Sequence, residues 1–203
     1  MPELPEVETI TRDLRLKVLN RAFINVWTDT PKIIKRVASF DVFKKEIKNK
    51  KILKIWRRAK NIIFELSGDC FLFIHQKMTG HLLYGQWKFV SGRLESQGEE
   101  ILKEKVNSYI HLLFYLDNGF MLALSDLRKF AKVELWGKEE FLKSKEYNSW
   151  GPEPLDKNFN FEKFLGILKD YSPCLEVFSI DECFLSLDDD PIKTAKDIKK
   201  RIR

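Results

Sequence analysis

Residues 51–75 read KILKIWRRAKNIIFELSGDCFLFIH. The stretch holds three short β-like runs, KILKIW, NIIFEL and CFLFIH, with the turn signal Ser67-Gly68-Asp69 between the last two. The same kind of run recurs on either side: AFINVW from residue 22, then YIHLLFYL, FMLALS and KVELW between 109 and 136. Asp117-Asn118-Gly119 is a strong hairpin cue. About seven or eight strands at this spacing predict a β-sandwich or barrel, and the sandwich is the expected form. Helices flank it, so the fold class is α+β. Residues 3–20 carry Val7, Ile10, Leu14 and Val18 at helical spacing, with Glu8, Arg12, Asp13 and Arg15 elsewhere. Helical patterning returns at 138–147 and 159–169, where Phe161, Phe164, Leu165 and Leu168 share a face. Gly92 to Glu104 is polar and reads as an exposed loop.

The chain has 203 residues, enough for one or two domains with a real core. It has 36 Lys and Arg against 30 Asp and Glu, a net charge of +6 that suits a polyanion-binding surface. Cys70, Cys174 and Cys183 lie in apolar runs without paired spacing. They read as reduced, buried thiols, not as a disulfide frame or a metal site. The N-terminus has no apolar signal region, and no apolar run approaches the ~18 residues of a membrane span. The expectation is a cytoplasmic protein.

The densest basic stretch is 44–60: Lys44, Lys45, Lys48, Lys50, Lys51, Lys54, Arg57, Arg58 and Lys60, opposed only by Glu46. It reads either as strands laid along a phosphate backbone or as a lysine-protected solvent face.

The first residues, Met-Pro-Glu-Leu-Pro-Glu-Val-Glu, allow a chemistry of their own. Removal of Met1 would leave Pro2 with a free secondary amine. A neutral amine attacks a sugar carbon and gives an iminium. An α-amino group titrates near ~8, so a useful fraction is neutral in the cell. Glu3 and Glu6 would place carboxylates beside it for proton transfer. The competing reading is an ordinary helix start, where Pro and Glu serve capping and the dipole.

MPELPEVETI resembles the N-terminus of the formamidopyrimidine-DNA glycosylase family, which includes the endonuclease VIII-like enzymes. The resemblance implies Pro2 as nucleophile, Glu3 as acid/base and Glu6 as a supporting group. RRAKNIIFEL resembles the family's Arg-Arg-Gly-Lys motif, which makes Lys60 the phosphate-contacting lysine, with Ala59 in place of the usual Gly. HQKMTGHLLYG resembles its His-Leu-Gly-Met-Thr/Ser-Gly loop and keeps His75, Met78, Thr79 and Gly80, while Gln76 and Lys77 replace Leu and Gly. SDLRKFAKVELW resembles its Asp-x-Arg-Arg-Phe-Gly loop. By this resemblance Met78 fills the hole left by an extruded base, Arg128 reads the orphaned base and Phe130 wedges between its neighbours. Read without it, Met78 is a core residue and Phe130 a strand residue. WGPEPLDKNFNFEKFLGIL at 150–168 resembles the linker that closes the family's N-terminal domain.

The resemblance covers residues 1–168. The helix–two-turn–helix module and the zinc finger that follow in the family are absent from the sequence, so no cofactor and no metal site are expected. Residues 169–203 form a separate tail. In it SPCLEVFSIDECFL resembles part of a Y-family DNA polymerase palm, with Asp181 and Glu182 as magnesium ligands; alternatively the pair sits in a solvated hairpin turn. Asp190-Pro191 reads as the cap and first residue of a last helix, which makes the tail a hairpin plus helix. The implied function is a base-excision-repair glycosylase and AP lyase for oxidised purines. It would act as a monomer on double- or single-stranded DNA with oxidised bases or abasic sites, near the nucleoid and away from membranes. The alternative is a catalytically impaired DNA-binding fragment.

Overall fold

The computed structural model describes residues 2–98, 100–150, 153, 155–156, 160–177 and 183–202. The elements begin with α1 (Leu4–Val18), β1 (Phe23–Thr28), β2 (Ile34–Lys35), α2 (Phe40–Ile47), β3 (Ile52–Arg58), β4 (Asn61–Leu66), β5 (Cys70–His75) and β6 (Gly80–Gly85). They continue with β7 (Trp87–Val90), β8 (Arg93–Ser96), β9 (Ile110–Leu116), β10 (Met121–Asp126), β11 (Lys132–Gly137) and α3 (Lys138–Lys143). The chain divides after Phe141 into two compact units.

Two sheets form the first unit, in the orders β1-β9-β10-β6 and β2-β11-β5-β4-β3. One hydrophobic core joins their inner faces: Phe23, Leu112, Phe114, Leu122 and Leu124 from the first, Ile55, Ile62, Phe64, Leu72, Ile74 and Val133 from the second. Val7, Leu14 and Val18 of α1 and Phe43 and Ile47 of α2 close it. Burying each such side chain stabilises the unit by roughly 1.5–3 kcal/mol.

β4 and β5 are buried on both faces, which is why their sequences read as continuous apolar runs and not as an alternation. Their outward residues build an aromatic layer. Phe71 meets Trp56 and Phe141 edge-on at 5.5 and 5.2 Å between ring centres, and Trp136 meets Phe141 at 5.6 Å.

The outer face of the other sheet is covered as well. The β7–β8 hairpin and a one-turn helix at Glu100–Lys103 bring Trp87 and Leu102 onto Leu113 and Ala123. Residues 92–104 are therefore not a plain exposed loop. Leu102, with Leu94 partly buried beside it, supplies the apolar anchor, too sparse a signal for a periodicity argument. The basic stretch is divided too: Lys44 and Lys45 lie on α2, which the sequence reading missed, because Phe43 and Ile47 are its only buried residues.

In the second unit, α4 (Lys145–Asn148) and α5 (Phe161–Lys169) precede the hairpin β12 (Leu175–Val177) and β13 (Cys183–Leu185), and α6 (Pro191–Ile202) follows. Asp190 caps α6 by accepting the Ile192 N–H at 2.9 Å. Tyr171 donates to Asp197 at 2.6 Å and Arg201 to Asp170 at 2.7 Å, tying the end of α5 to α6. Cys174 is exposed, against the expectation of three buried thiols, because it lies at the edge of a two-stranded hairpin. Asp181 and Glu182 lie outside the described residues. Among the described residues, no helix is long and apolar enough to cross a membrane.

Candidate active site

One end of the five-stranded sheet gathers the residues that the sequence singles out. The β3–β4 turn carries Lys60, β5 ends at His75, and β11 begins at Lys132. In the ladder His75 faces Asn61 on one side and Lys132 on the other.

α1 delivers its N-terminus to this end. Glu3 is the cap residue, and its backbone N–H donates to Glu6 Oε2 at 3.0 Å. Glu6 thus holds the backbone around Glu3, which is a capping role. The Glu3 carboxylate forms an ion pair with the Lys60 ammonium, with both side chains partly exposed. Pro2, half-buried, directly precedes this pair.

Arg57, which the sequence offers as a phosphate contact, points inward. Its side chain is 2% exposed and donates to Glu8 Oε2 at 2.8 Å and to Ala59 O at 2.9 Å. Glu8 also accepts from Arg12 at 2.7 Å. Burial pushes the Glu8 carboxyl up, but the Arg57 and Arg12 hydrogen bonds and charges more than offset it, and its pKa lies below the usual carboxylate value. α1 and the Lys60 turn are therefore clamped together by a pair 49 residues apart in sequence.

His75 is neutral at pH 7. Burial, with the charges of Lys77, Lys132 and Lys60 around it, pulls its pKa down to about 4. Its Nδ1 accepts the Lys77 N–H at 3.0 Å, which leaves the proton on Nε2. The loop from β5 to β6 then turns so tightly that a Cβ on Gly80 would run into Gln76 O. Gln76 is buried at 1% exposure, while Met78 projects at 42%. Phe130 is no strand residue: it sits on the loop between β10 and β11, 53% exposed, with the Arg128 guanidinium 4.7 Å from its ring centre. Met78 and Phe130 line one cavity of about 470 Å³.

Asp126 fastens these two loops together, and the sequence reading assigned it nothing. It is 1% exposed. It accepts from the Thr79 hydroxyl of one loop and from the Arg128 and Ala131 N–H groups of the other, at 3.3 and 2.7 Å. Asp126→Asn keeps the shape but replaces one of the two accepting oxygens by an amide donor, which then faces either the Ala131 N–H or the Thr79 and Arg128 donors. It should cost about 1–3 kcal/mol for the unsatisfied groups. Hydrogen exchange at the Ala131 amide should speed up, and unchanged protection there would refute the role.

A family model for the formamidopyrimidine-DNA glycosylase N-terminal domain matches residues 1–133. The chain belongs to the formamidopyrimidine-DNA glycosylase family. The family's enzyme from Heliobacterium modesticaldum is 31% identical over 186 residues, covering 92% of this chain and 62% of the relative. The enzyme from Protochlamydia amoebophila is also 31% identical, over 91% of this chain and 60% of its own length. The chain thus spans about three-fifths of the curated relatives it matches. Among solved structures, the Lactococcus lactis enzyme with DNA containing N7-benzyl-Fapy-dG is 29% identical with a TM-score of 0.64, over 83% of this chain and 56% of that one. The same enzyme with abasic-site DNA gives a TM-score of 0.65 at 28% identity. An alignment that takes in 92% of the chain runs well past residue 168, into the tail. The comparisons give the polymerase-palm resemblance of that tail no support.

Of the three family glycine positions that hold other residues here, Ala59, Lys77 and Ala131, the first two are left-handed, at φ 51° and φ 58°. Lys129, between Arg128 and Phe130, is left-handed as well, at φ 57°. Such backbones are strained for residues with a Cβ, and here each adjoins a singled-out side chain. Ala59→Gly should relieve the strain and stabilise the chain by about 1 kcal/mol. A lower melting temperature for that variant would contradict this reading.

Among the described residues, no group of three or more His, Cys, Asp or Glu side chains is placed to hold a metal. Cys70 is buried, and burial pushes its thiol up.

Proposed function

We propose that this chain carries the catalytic machinery of a base-excision-repair DNA glycosylase with AP lyase activity, acting on oxidised purines of the formamidopyrimidine and 8-oxoguanine type. The observation that carries the reading is the Glu3–Lys60 ion pair immediately after Pro2. It puts a carboxylate and a phosphate-binding cation beside a nucleophilic amine. The DNA ligands named for the Lactococcus lactis enzyme, abasic-site DNA and Fapy-dG DNA, support it.

The damaged nucleotide leaves the stack, because its C1′ is unreachable inside the duplex. The neutral Pro2 amine attacks C1′, and the glycosidic bond breaks with its electron pair going to the base, which takes a proton. Glu3 protonates the ring oxygen O4′ as the sugar opens, and the amine loses its proton, giving the iminium. The iminium acidifies C2′. Loss of a C2′ proton expels the 3′ phosphate, and a second elimination expels the 5′ phosphate, with Lys60 beside the phosphate charge. Water then hydrolyses the iminium and restores Pro2. Glu6 fixes the Glu3 backbone. Neutral His75 donates from Nε2 to DNA phosphate, Met78 and Phe130 fill the gap, and Arg128 reads the orphaned base. The chemistry needs no cofactor, and a monomer working on nucleoid DNA in a bacterial cytoplasm suffices.

Borohydride reduction in the presence of an abasic oligonucleotide tests the proposal. A covalent adduct is expected. Salt-sensitive binding without an adduct would favour the second reading, a DNA-binding domain without lyase activity.

A further inference from the structure

The cavity beneath Met78 and Phe130 has four lysines in its lining: Lys32, Lys35, Lys77 and Lys129. They arrive from three separate segments, two of them just ahead of and within β2 and the others from the β5–β6 and β10–β11 loops. No carboxylate lines the cavity. None of the four lysines forms an ion pair with a described residue, whereas Lys17, Lys60, Lys103, Lys132 and Lys138 all do. Four like charges crowded without a counter-charge repel one another, at a cost that an anionic ligand would relieve. Met78, Phe130 and Ala131 supply an apolar wall beside the amines. Cations next to an apolar wall match a nucleotide, with its phosphate on the lysines and its sugar and base edge on the wall.

The topology selects the strand. In the order β2-β11-β5-β4-β3, β2 is one edge of the sheet, and the β3–β4 turn with Lys60 is at the other. With strands ~4.8 Å apart, Lys35 and Lys60 stand roughly 15–19 Å apart across the sheet. Two backbones so separated favour contact with different phosphates. Both lie at the same end of the sheet, since β2 runs parallel to β11 with Ile34 beside Val133. A spacing of this size exceeds the ~12 Å width of the major groove and lets the two ends of the row engage different strands of one duplex.

We propose that Lys32 and Lys35, with Lys77 and Lys129, form a subsite for a backbone phosphate of the undamaged strand, opposite the nucleotide held near Lys60. The inference rests on the DNA reading above. Lys77 and Lys129 line the cavity from left-handed backbones, and the Lys129 N–H is anchored on Asp126 O at 3.1 Å.

The test compares the wild type with the Lys32→Gln/Lys35→Gln double variant on a duplex containing an abasic-site analogue. Each lost phosphate contact lowers the slope of log K against log salt by about 0.9, so the double variant should lose up to about 0.9 of slope. The Lys32→Arg/Lys35→Arg variant should keep the wild-type slope. Single methylphosphonates, which remove one phosphate charge, are then placed along each strand. One on the undamaged strand should weaken the wild type and leave the double Gln variant indifferent. An unchanged slope overturns the subsite, and so does an effect confined to methylphosphonates on the damaged strand. Failure of the wild type to trap abasic DNA would strike the enzymatic reading alone, because the slope requires only binding. A wild type that does not bind duplex DNA would sink both.

Discussion

A chain that keeps Met1, or whose N-terminus is acetylated, should yield at least ~100-fold less borohydride-trapped adduct than one that begins at Pro2, as expected when the attacking group itself is removed. Acetylation turns the amine into an amide, whose nitrogen lone pair is delocalised and does not attack. Retained Met1 does the same through a peptide bond. The loss should be in trapping and not in binding, since Lys60, Met78, Arg128 and Phe130 all sit on other segments. The Lys60 amine is the one alternative nucleophile within reach of the Glu3 carboxylate among the residues singled out, so the comparison includes Lys60→Ala. Acidification supplies a second readout. With an α-amino pKa near ~8, the neutral fraction falls about tenfold per pH unit below it, and the trapping rate should follow. Undiminished trapping by the blocked chain would remove Pro2 from the mechanism.

Glu8→Ala should destabilise the chain by about 3 kcal/mol, the scale on which removing one partner of a buried ion pair acts. The guanidinium of Arg57 is 2% exposed and would keep its bond to the Ala59 carbonyl but lose the carboxylate of Glu8 that balances its charge. For a domain of this size that corresponds to a fall in melting temperature of roughly 6–12 °C. The pH dependence has a definite sign. The folded-state pKa of Glu8 lies below its unfolded value, so its contribution is complete above the ordinary carboxylate pKa of 4.5 and is lost as pH falls through the folded value. The gap between wild type and Glu8→Ala should therefore be full at pH 7 and narrow on acidification below about 4.5. Replacing Arg57 by Met together with Glu8→Ala should recover part of the loss, because no buried charge remains. Equal melting temperatures at pH 7 would show that the clamp contributes nothing. Trapping should fall along with stability, since the clamp sets the register between Pro2 and the Lys60 turn.

Much of this was legible in the chain itself. The seven strands read from sequence all form, because β4, β5 and β9 are buried on both faces and local composition alone marks them. The Asn118-Gly119 hairpin and the first helix follow from equally local chemistry, with Gly119 left-handed at φ 80° and Val7, Leu14 and Val18 facing the core. The motifs placed Pro2, Glu3, Lys60, His75, Met78, Arg128 and Phe130 on the chain by resemblance. What a sequence pattern reports is the burial of a residue relative to its near neighbours. It does not report which distant partner satisfies a charge. Arg57 reads as one more surface cation until Glu8 is found against it, and Asp126 reads as a loop residue until Thr79 is found hydrogen-bonded to it. Lys32 and Lys35 carry no local sign of function. They reach Lys77 and Lys129 only because β2 pairs in parallel with β11 at the edge of the sheet, a long-range choice made by the packing of the whole sandwich.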